Sequence, residues 1–146
     1  MVTTLLRALN TNKLDILVAN MEMPPIDIDV MLYEAEEAGE VKIDRAKNTI
    51  EVIADKGFNY QNVALRGKIE QLIHFYDKQE ANITKSRLEG VILDPARNFG
   101  YPLHDYYCTM YALEQDGEVK TYELSVPEIK NKRPYRNFKF YTYLDH

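Results

Sequence analysis

The sequence predicts an α+β, helix-rich fold in which one plan, three helices followed by a two-stranded hairpin, is written twice. Three observations predict it. YEAEEAGEVK (Tyr33–Lys42) and YALEQDGEVK (Tyr111–Lys120) agree at six of ten positions at an offset of 78 residues, and the same offset places Pro24 on Pro102. Apolar residues recur at three- and four-residue spacing ahead of each hairpin, the signature of helices that bury one face. After each repeat come short alternating runs of β-branched and aromatic residues, the pattern of half-buried strands.

In the first copy, TTLLRALN sets Leu5, Leu6 and Leu9 on one side of a short helix. NKLDILVANM follows, with Leu14, Leu17, Val18 and Met21 at helical spacing and Asn12 as the expected N-cap, because a short polar side chain can accept from the first free amides. Pro24-Pro25 ends that helix. IDIDVMLYEAEEA (Ile26–Ala38) is the third helix; Asp27 and Asp29 suit its positive N-terminal end, and Gly39 permits a left-handed C-terminal turn. EVKIDRAKNTIEVI then predicts a hairpin in which Val41 and Ile43 alternate on one strand and Ile50 and Val52 on the other.

In the second copy, NVALRGKIEQLIHFYDKQ carries the strongest helical stripe, Leu65, Ile69, Leu72, Ile73 and Tyr76. Thr84 is the expected cap of KSRLEGVILD, and Asp94-Pro95 its end. Pro102 opens the third helix, with Leu103, Tyr106, Tyr107, Met110 and Leu113 predicted inward and His104, Asp105, Cys108, Thr109 and Gln115 away from that stripe. Gly117 closes it. A longer hairpin follows, EVKTYELSVPE and FKFYTYL, joined by the cationic tip KNKRPYRNFK (Lys130–Lys139). ADKGFNYQ (Ala54–Gln61) is the expected joint, giving modules over 1–56 and 57–146.

Bulk composition fits this plan. An apolar content of 45% and a charged content of 28% are globular values, and a lone cysteine rules out an internal disulfide framework. With no long apolar run and no charged leader ahead of one, the expectation is a soluble cytoplasmic protein without a membrane partner. The net charge of −5 resides at the front: residues 1–57 hold six Lys/Arg against eleven Asp/Glu, while residues 58–146 hold twelve of each.

The order helix, helix, turn, helix, hairpin, with Gly39-Glu40-Val41 and Gly117-Glu118-Val119 at the turn into each hairpin, resembles the winged helix-turn-helix superfamily, as two tandem modules. The resemblance implies a third helix that can enter the major groove and a wing that can touch the DNA backbone. Residues 26–38 oppose the first role, since they contain Asp27, Asp29, Glu34, Glu36 and Glu37 and no Lys or Arg, and carboxylates beside phosphates repel. The second module's third helix also lacks Lys and Arg, so the arginine–guanine contact is missing there too.

The cationic tip is different. Lys130, Lys132, Arg133, Arg136 and Lys139 can track a phosphate strand, Tyr135 can stack, and Lys85, Arg87 and Arg97 extend the patch in a winged-helix arrangement. The expected function is therefore a non-enzymatic, DNA-binding regulator of transcription that grips double-stranded DNA through the second wing. The alternative is a tandem winged-helix protein adaptor that does not read DNA. Asp27, Asp29, Glu34 and Glu37 are the expected acidic protein-interaction face, and Tyr141 and Tyr143 a second apolar face suited to homodimerisation. His104-x-x-x-Cys108 is weighed as a metal or nucleophile pair and set aside for want of further ligands. No cofactor, metal or catalytic residue is expected.

Overall fold

The computed structural model describes residues 1–54, 60–79, 83–126 and 136–143 of this α+β, helix-rich protein. The chain forms two compact units, Met1–Val63 with Pro102–Ala112, and Ala64–Tyr101 with Leu113–His146. The sequence divides the chain once, at residue 56; the compact units divide it at Val63 and twice more, around Pro102–Ala112.

The first unit begins with α1 (Val2–Leu9), α2 (Leu14–Ala19) and α3 (Pro25–Glu37), followed by the antiparallel pair β1 (Val41–Asp44) and β2 (Thr49–Val52). Its core is built from the predicted stripes: Leu5 and Leu6 of α1, Leu17 and Met21 at α2, Ile28, Leu32 and Ala35 of α3, and Val41 and Ile50 of the hairpin. Val41 faces Val52 and Ile43 faces Ile50, so each alternating run puts its apolar residues on the same side of the ribbon.

Asn12 is not the cap of α2. The N-cap position is Lys13, which makes no side-chain cap bond and instead bridges Thr49 of β2. Asn48, which precedes β2, does the capping: its carbonyl accepts from the Leu14 amide at 3.1 Å and its Oδ1 from the Asp15 amide at 2.9 Å. A hydrogen bond from Asn48 also holds the Asp15 carboxyl below its ordinary pKa. Asn48 has φ of 55°, a left-handed conformation that asparagine tolerates better than most side chains. The free amides of a helix start are thus satisfied from a residue 33 positions away in sequence.

The second unit contains α4 from Ala64 onward (the helix spans Val63–Lys78), β3 (Ile83–Thr84), α5 (Lys85–Leu93), β4 (Val119–Val126) and β5 (Arg136–Tyr143). The sheet order is β3-β5-β4, all antiparallel. Leu65, Ile69 and Ile73 of α4 and Leu88 and Ile92 of α5 are buried, with Leu72 and Tyr76 partly so. Thr84 caps α5 as expected, its Oγ1 accepting from the Arg87 amide at 3.1 Å. Arg66, only 18% exposed, holds Glu70 at 3.1 Å, Asp116 at 2.7 Å and Glu118 at 3.4 Å, which ties α4 to the start of β4. Burial by itself would lower the Arg66 pKa; hydrogen bonds to Asp116 and Glu70 and the charges of Asp116 and Glu118 outweigh it and hold it above its ordinary value.

The last helix, α6 (Leu103–Gln115), belongs to the first unit through Ala112 and to the second from Leu113. The 78-residue repeat is a repeat of bonds as well as letters. Gly39 and Gly117 have φ of 71° and 72°, and each donates to the carbonyl three residues back, Glu36 and Glu114. Glu40 and Glu118 donate to Ala35 and Leu113, completing the same helix-ending motif twice. At the other end, Ile28 donates to Pro24 and Tyr106 to Pro102. Buried Ile28, Leu32, Ala35 and Val41 correspond at this offset to buried Tyr106, Met110, Leu113 and Val119. Among the described residues, no helix is long and apolar enough to cross a membrane.

Candidate functional site

The outer face of α3 is a surface of the first unit that the described residues leave uncovered. Pro25 occupies the first helical turn, where its missing amide leaves no bond unmade. Ile28, Leu32 and Ala35, spaced four and three apart, turn inward. Ile26, Val30 and Tyr33 have the same spacing, displaced by two residues, and therefore lie on the opposite side. They are 70%, 47% and 62% exposed. Asp27, Asp29, Glu34 and Glu37 are exposed on the same helix. Glu36 is paired with Arg45 at 3.2 Å, whereas among the described residues no ion pair neutralises the other four. The surface is thus an apolar stripe on an acidic helix with no cation of its own.

Composition marks the acidic half of this face but does not mark Ile26, Val30 and Tyr33. The signal was available: a helix with two apolar stripes on opposite sides has one more than its own core requires. Covering these three side chains fully would be worth about 1.5–3 kcal/mol each by area.

The polar face expected on α6 is not a free surface. His104, Asp105, Cys108 and Thr109 are all buried, and only Gln115 of the five is exposed. Partners in the first unit account for it. Tyr60 Oη donates to Asp105 Oδ1 at 2.8 Å, and Asn62 Nδ2 to Asp105 Oδ2 at 3.2 Å. The Asn62 amide donates to Thr109 Oγ1 at 3.0 Å, and the Tyr60 amide to Thr4 Oγ1 at 3.1 Å. The Glu22 amide donates to His104 Nδ1 at 3.0 Å, while Glu22 Oε1 accepts from the Leu103 amide at 2.9 Å, satisfying the start of α6. Buried polar atoms with partners are stable where orphaned ones are not, so this face can close without apolar residues.

His104 and Cys108 do not form a reactive couple. Nδ1 of His104 is an acceptor, which puts the ring proton on Nε2, 3.5 Å from Asp105 Oδ1. Cys108 is wholly buried within the apolar core, and burial pushes its thiol up to about 12, far from a thiolate at neutral pH. Among the described residues, no group of three or more His, Cys, Asp or Glu is arranged to hold a metal ion.

The predicted nucleic-acid residues fall in several places. Lys130, Lys132, Arg133 and Tyr135 lie outside the described residues. Arg136 and Lys139 are strand residues of β5, paired with Val126 and Glu123. Lys85 opens α5 with Nζ 3.9 Å from Glu89, Arg87 is exposed one turn into that helix, and Arg97 is exposed in the turn after it. Tyr141 pairs on β5 with Ile83 on one side and Thr121 on the other, and Tyr143 pairs with Val119. Comparison with protein-family models, curated proteins and solved structures finds no match.

Proposed function

We propose that this chain is a tandem winged-helix protein that acts by binding rather than catalysis, and that the outer face of α3 is its protein-docking surface. The winged-helix reading is supported by element order. In the second copy the order helix, short strand, helix, helix, long hairpin is complete, with β3 preceding α5 and pairing with the last strand. In the first copy the Lys13–Thr49 bridge is the counterpart of β3, reduced to one residue ahead of α2.

The observation that carries the docking reading is the exposed Ile26–Val30–Tyr33 stripe on a helix with four un-neutralised carboxylates. This surface repels a polyanion and suits a protein. The third helix of the second copy offers little for base reading, because His104, Asp105 and Thr109 are spent inside the first unit and it carries no Lys or Arg. These features favour the adaptor role over DNA binding.

A second reading rests on composition. Lys130, Lys132, Arg133, Tyr135, Arg136 and Lys139 form a stretch without Asp or Glu that suits phosphate contacts, with Lys85, Arg87 and Arg97 as reinforcement. Anisotropy titration of a labelled duplex at about 50 and about 200 mM salt separates the two. The adaptor reading expects no sequence preference, and any weak binding to collapse with salt and vanish in Lys132→Gln/Arg133→Gln/Arg136→Gln. Sequence-selective binding that survives the higher salt would overturn it in favour of a DNA reader.

A further inference from the structure

Ile26, Val30 and Tyr33 are separated by four and then three residues, the spacing of successive d, a and d positions of a heptad. In that register Asp27 and Glu34 take e positions, and Asp29 and Glu36 take g positions. At about 100° per residue the three apolar side chains share an arc of about 60°, with Asp27 and Glu34 along one edge and Asp29 and Glu36 along the other. Ile28, Leu32 and Ala35, which fill the core, take f, c and f positions on the far side. Glu37 stands at the next a position and ends the seam. α3 therefore presents to solvent the seam of a coiled coil whose flanking positions from Asp27 to Glu36 are all acidic. We propose that the occupant of this face is a helix of another protein, with apolar residues at its own a and d positions and Lys or Arg at e and g. This rests on the reading of α3 as a docking face and names the chemistry of its partner.

The charge pattern decides between occupants. Two α3 helices laid together in either orientation would set carboxylate against carboxylate along both edges, because e and g positions meet across such a seam. The same helix of a second copy is thus repelled. An uncharged apolar helix would cover the seam yet leave Asp27, Asp29 and Glu34 without a neutralising partner among the described residues. Arg45, 3.2 Å from Glu36, already shows a guanidinium meeting one of these flanking carboxylates. A cationic helix answers both needs: its Lys and Arg stems lie along the apolar seam while their charged ends reach the carboxylates. With 13 residues, α3 offers just under two heptads, so the association is short, reversible and salt-sensitive.

Fluorescence anisotropy with a labelled synthetic helix tests this. The probe has about three heptads, with Leu at a and d and Lys at e and g. Its controls are the same peptide with Glu at e and g, and the Lys peptide with its sequence scrambled. The full-length protein is expected to bind the Lys peptide at least about tenfold more tightly than either control, and less tightly as salt rises. In Asp27→Lys/Asp29→Lys/Glu34→Lys, at exposed positions that leave the core untouched, the preference is expected to reverse to the Glu peptide. Ile26→Ser/Tyr33→Ser is expected to weaken Lys-peptide binding at least about tenfold, as loss of apolar anchors does. Circular dichroism melts check that each variant is folded.

Failure of the wild type to bind the Lys peptide overturns the proposal, as does binding that neither variant changes. Equal binding of the scrambled peptide also overturns it, since charge alone would then suffice. If the Glu peptide binds as tightly as the Lys peptide and Ile26→Ser/Tyr33→Ser abolishes both, the docking face stands and its cationic partner falls. If sedimentation velocity shows self-association that Ile26→Ser/Tyr33→Ser abolishes, the occupant is a second copy and the proposal falls. If neither peptide binding nor self-association responds to the α3 variants, the docking reading falls as well.

Discussion

Asp105→Ala is expected to lower the free energy of unfolding by about 2–4 kcal/mol, the loss of two hydrogen bonds to one buried, charged acceptor. Asp105 is buried on α6, yet it is what the segment at residues 60–62 grips: the Tyr60 hydroxyl at 2.8 Å and the Asn62 amide group at 3.2 Å. Removing the carboxylate takes this acceptor from both donors, and it also removes an oxygen 3.5 Å from His104 Nε2. Asp105→Asn is expected to cost about half as much, since its carbonyl can still accept from Tyr60 while its amide opposes that of Asn62. Urea unfolding of the three proteins measures this directly. A loss below about 1 kcal/mol for Asp105→Ala would mean that α6 is held by its apolar side alone.

Stability is expected to fall steeply between pH 9 and 12. Burial pushes the Cys108 thiol from its ordinary 9.0 up to about 12, and burial together with Asp105 pushes the Tyr60 hydroxyl from 10.0 up to about 12. Both groups are held protonated by the fold. Above pH 9 the unfolded chain therefore sheds protons that the folded chain keeps, and the sign follows: ν of the unfolded state is smaller, so unfolding free energy decreases as pH rises. The contribution is fully present below the ordinary values and gone once pH passes the folded ones. For wholly buried Cys108 three pH units correspond to roughly 4 kcal/mol as an upper bound; Tyr60 is 37% exposed and contributes a smaller, screened share. Cys108→Ala is expected to be less stable at neutral pH through its small cavity, but to have a visibly shallower alkaline slope. An unchanged slope in that variant would place the alkaline transition elsewhere.

Much of the fold was legible because it rests on local signals. Leu5, Leu6, Leu17, Ile28, Leu32, Leu65, Ile69 and Leu88 lie at helical spacing and are buried as that spacing requires. Gly39 and Gly117 mark helix ends because a left-handed residue there is inexpensive only for glycine, and both take that conformation. What was not legible depends on long-range partners. Asn48 caps α2 across 33 residues, Arg66 reaches Asp116 and Glu118 across about fifty, and Glu22 satisfies the start of α6 across 81. Periodicity weighs only apolar side chains, so it leaves His104, Asp105 and Thr109 outside; hydrogen bonds from Tyr60, Asn62 and Glu22 put them in. The candidate site divides in the same way. Its carboxylates announce themselves by composition, whereas Ile26, Val30 and Tyr33 become a surface only once the opposite stripe is known to fill the core.

Hydroxyl-radical footprinting with residue-level mass spectrometry, at low protein concentration, reads both faces in one experiment. The account predicts that Ile26 and Tyr33 on α3 oxidise at rates near those of free peptides, while Cys108, Tyr106 and His104 on α6 are protected until the protein is unfolded. Cys108 is the sharpest reporter, since thiols react fastest when reached. Rapid oxidation of Cys108 and His104 in the native protein, with Tyr33 shielded, would invert the two helices' roles and contradict the account at its centre.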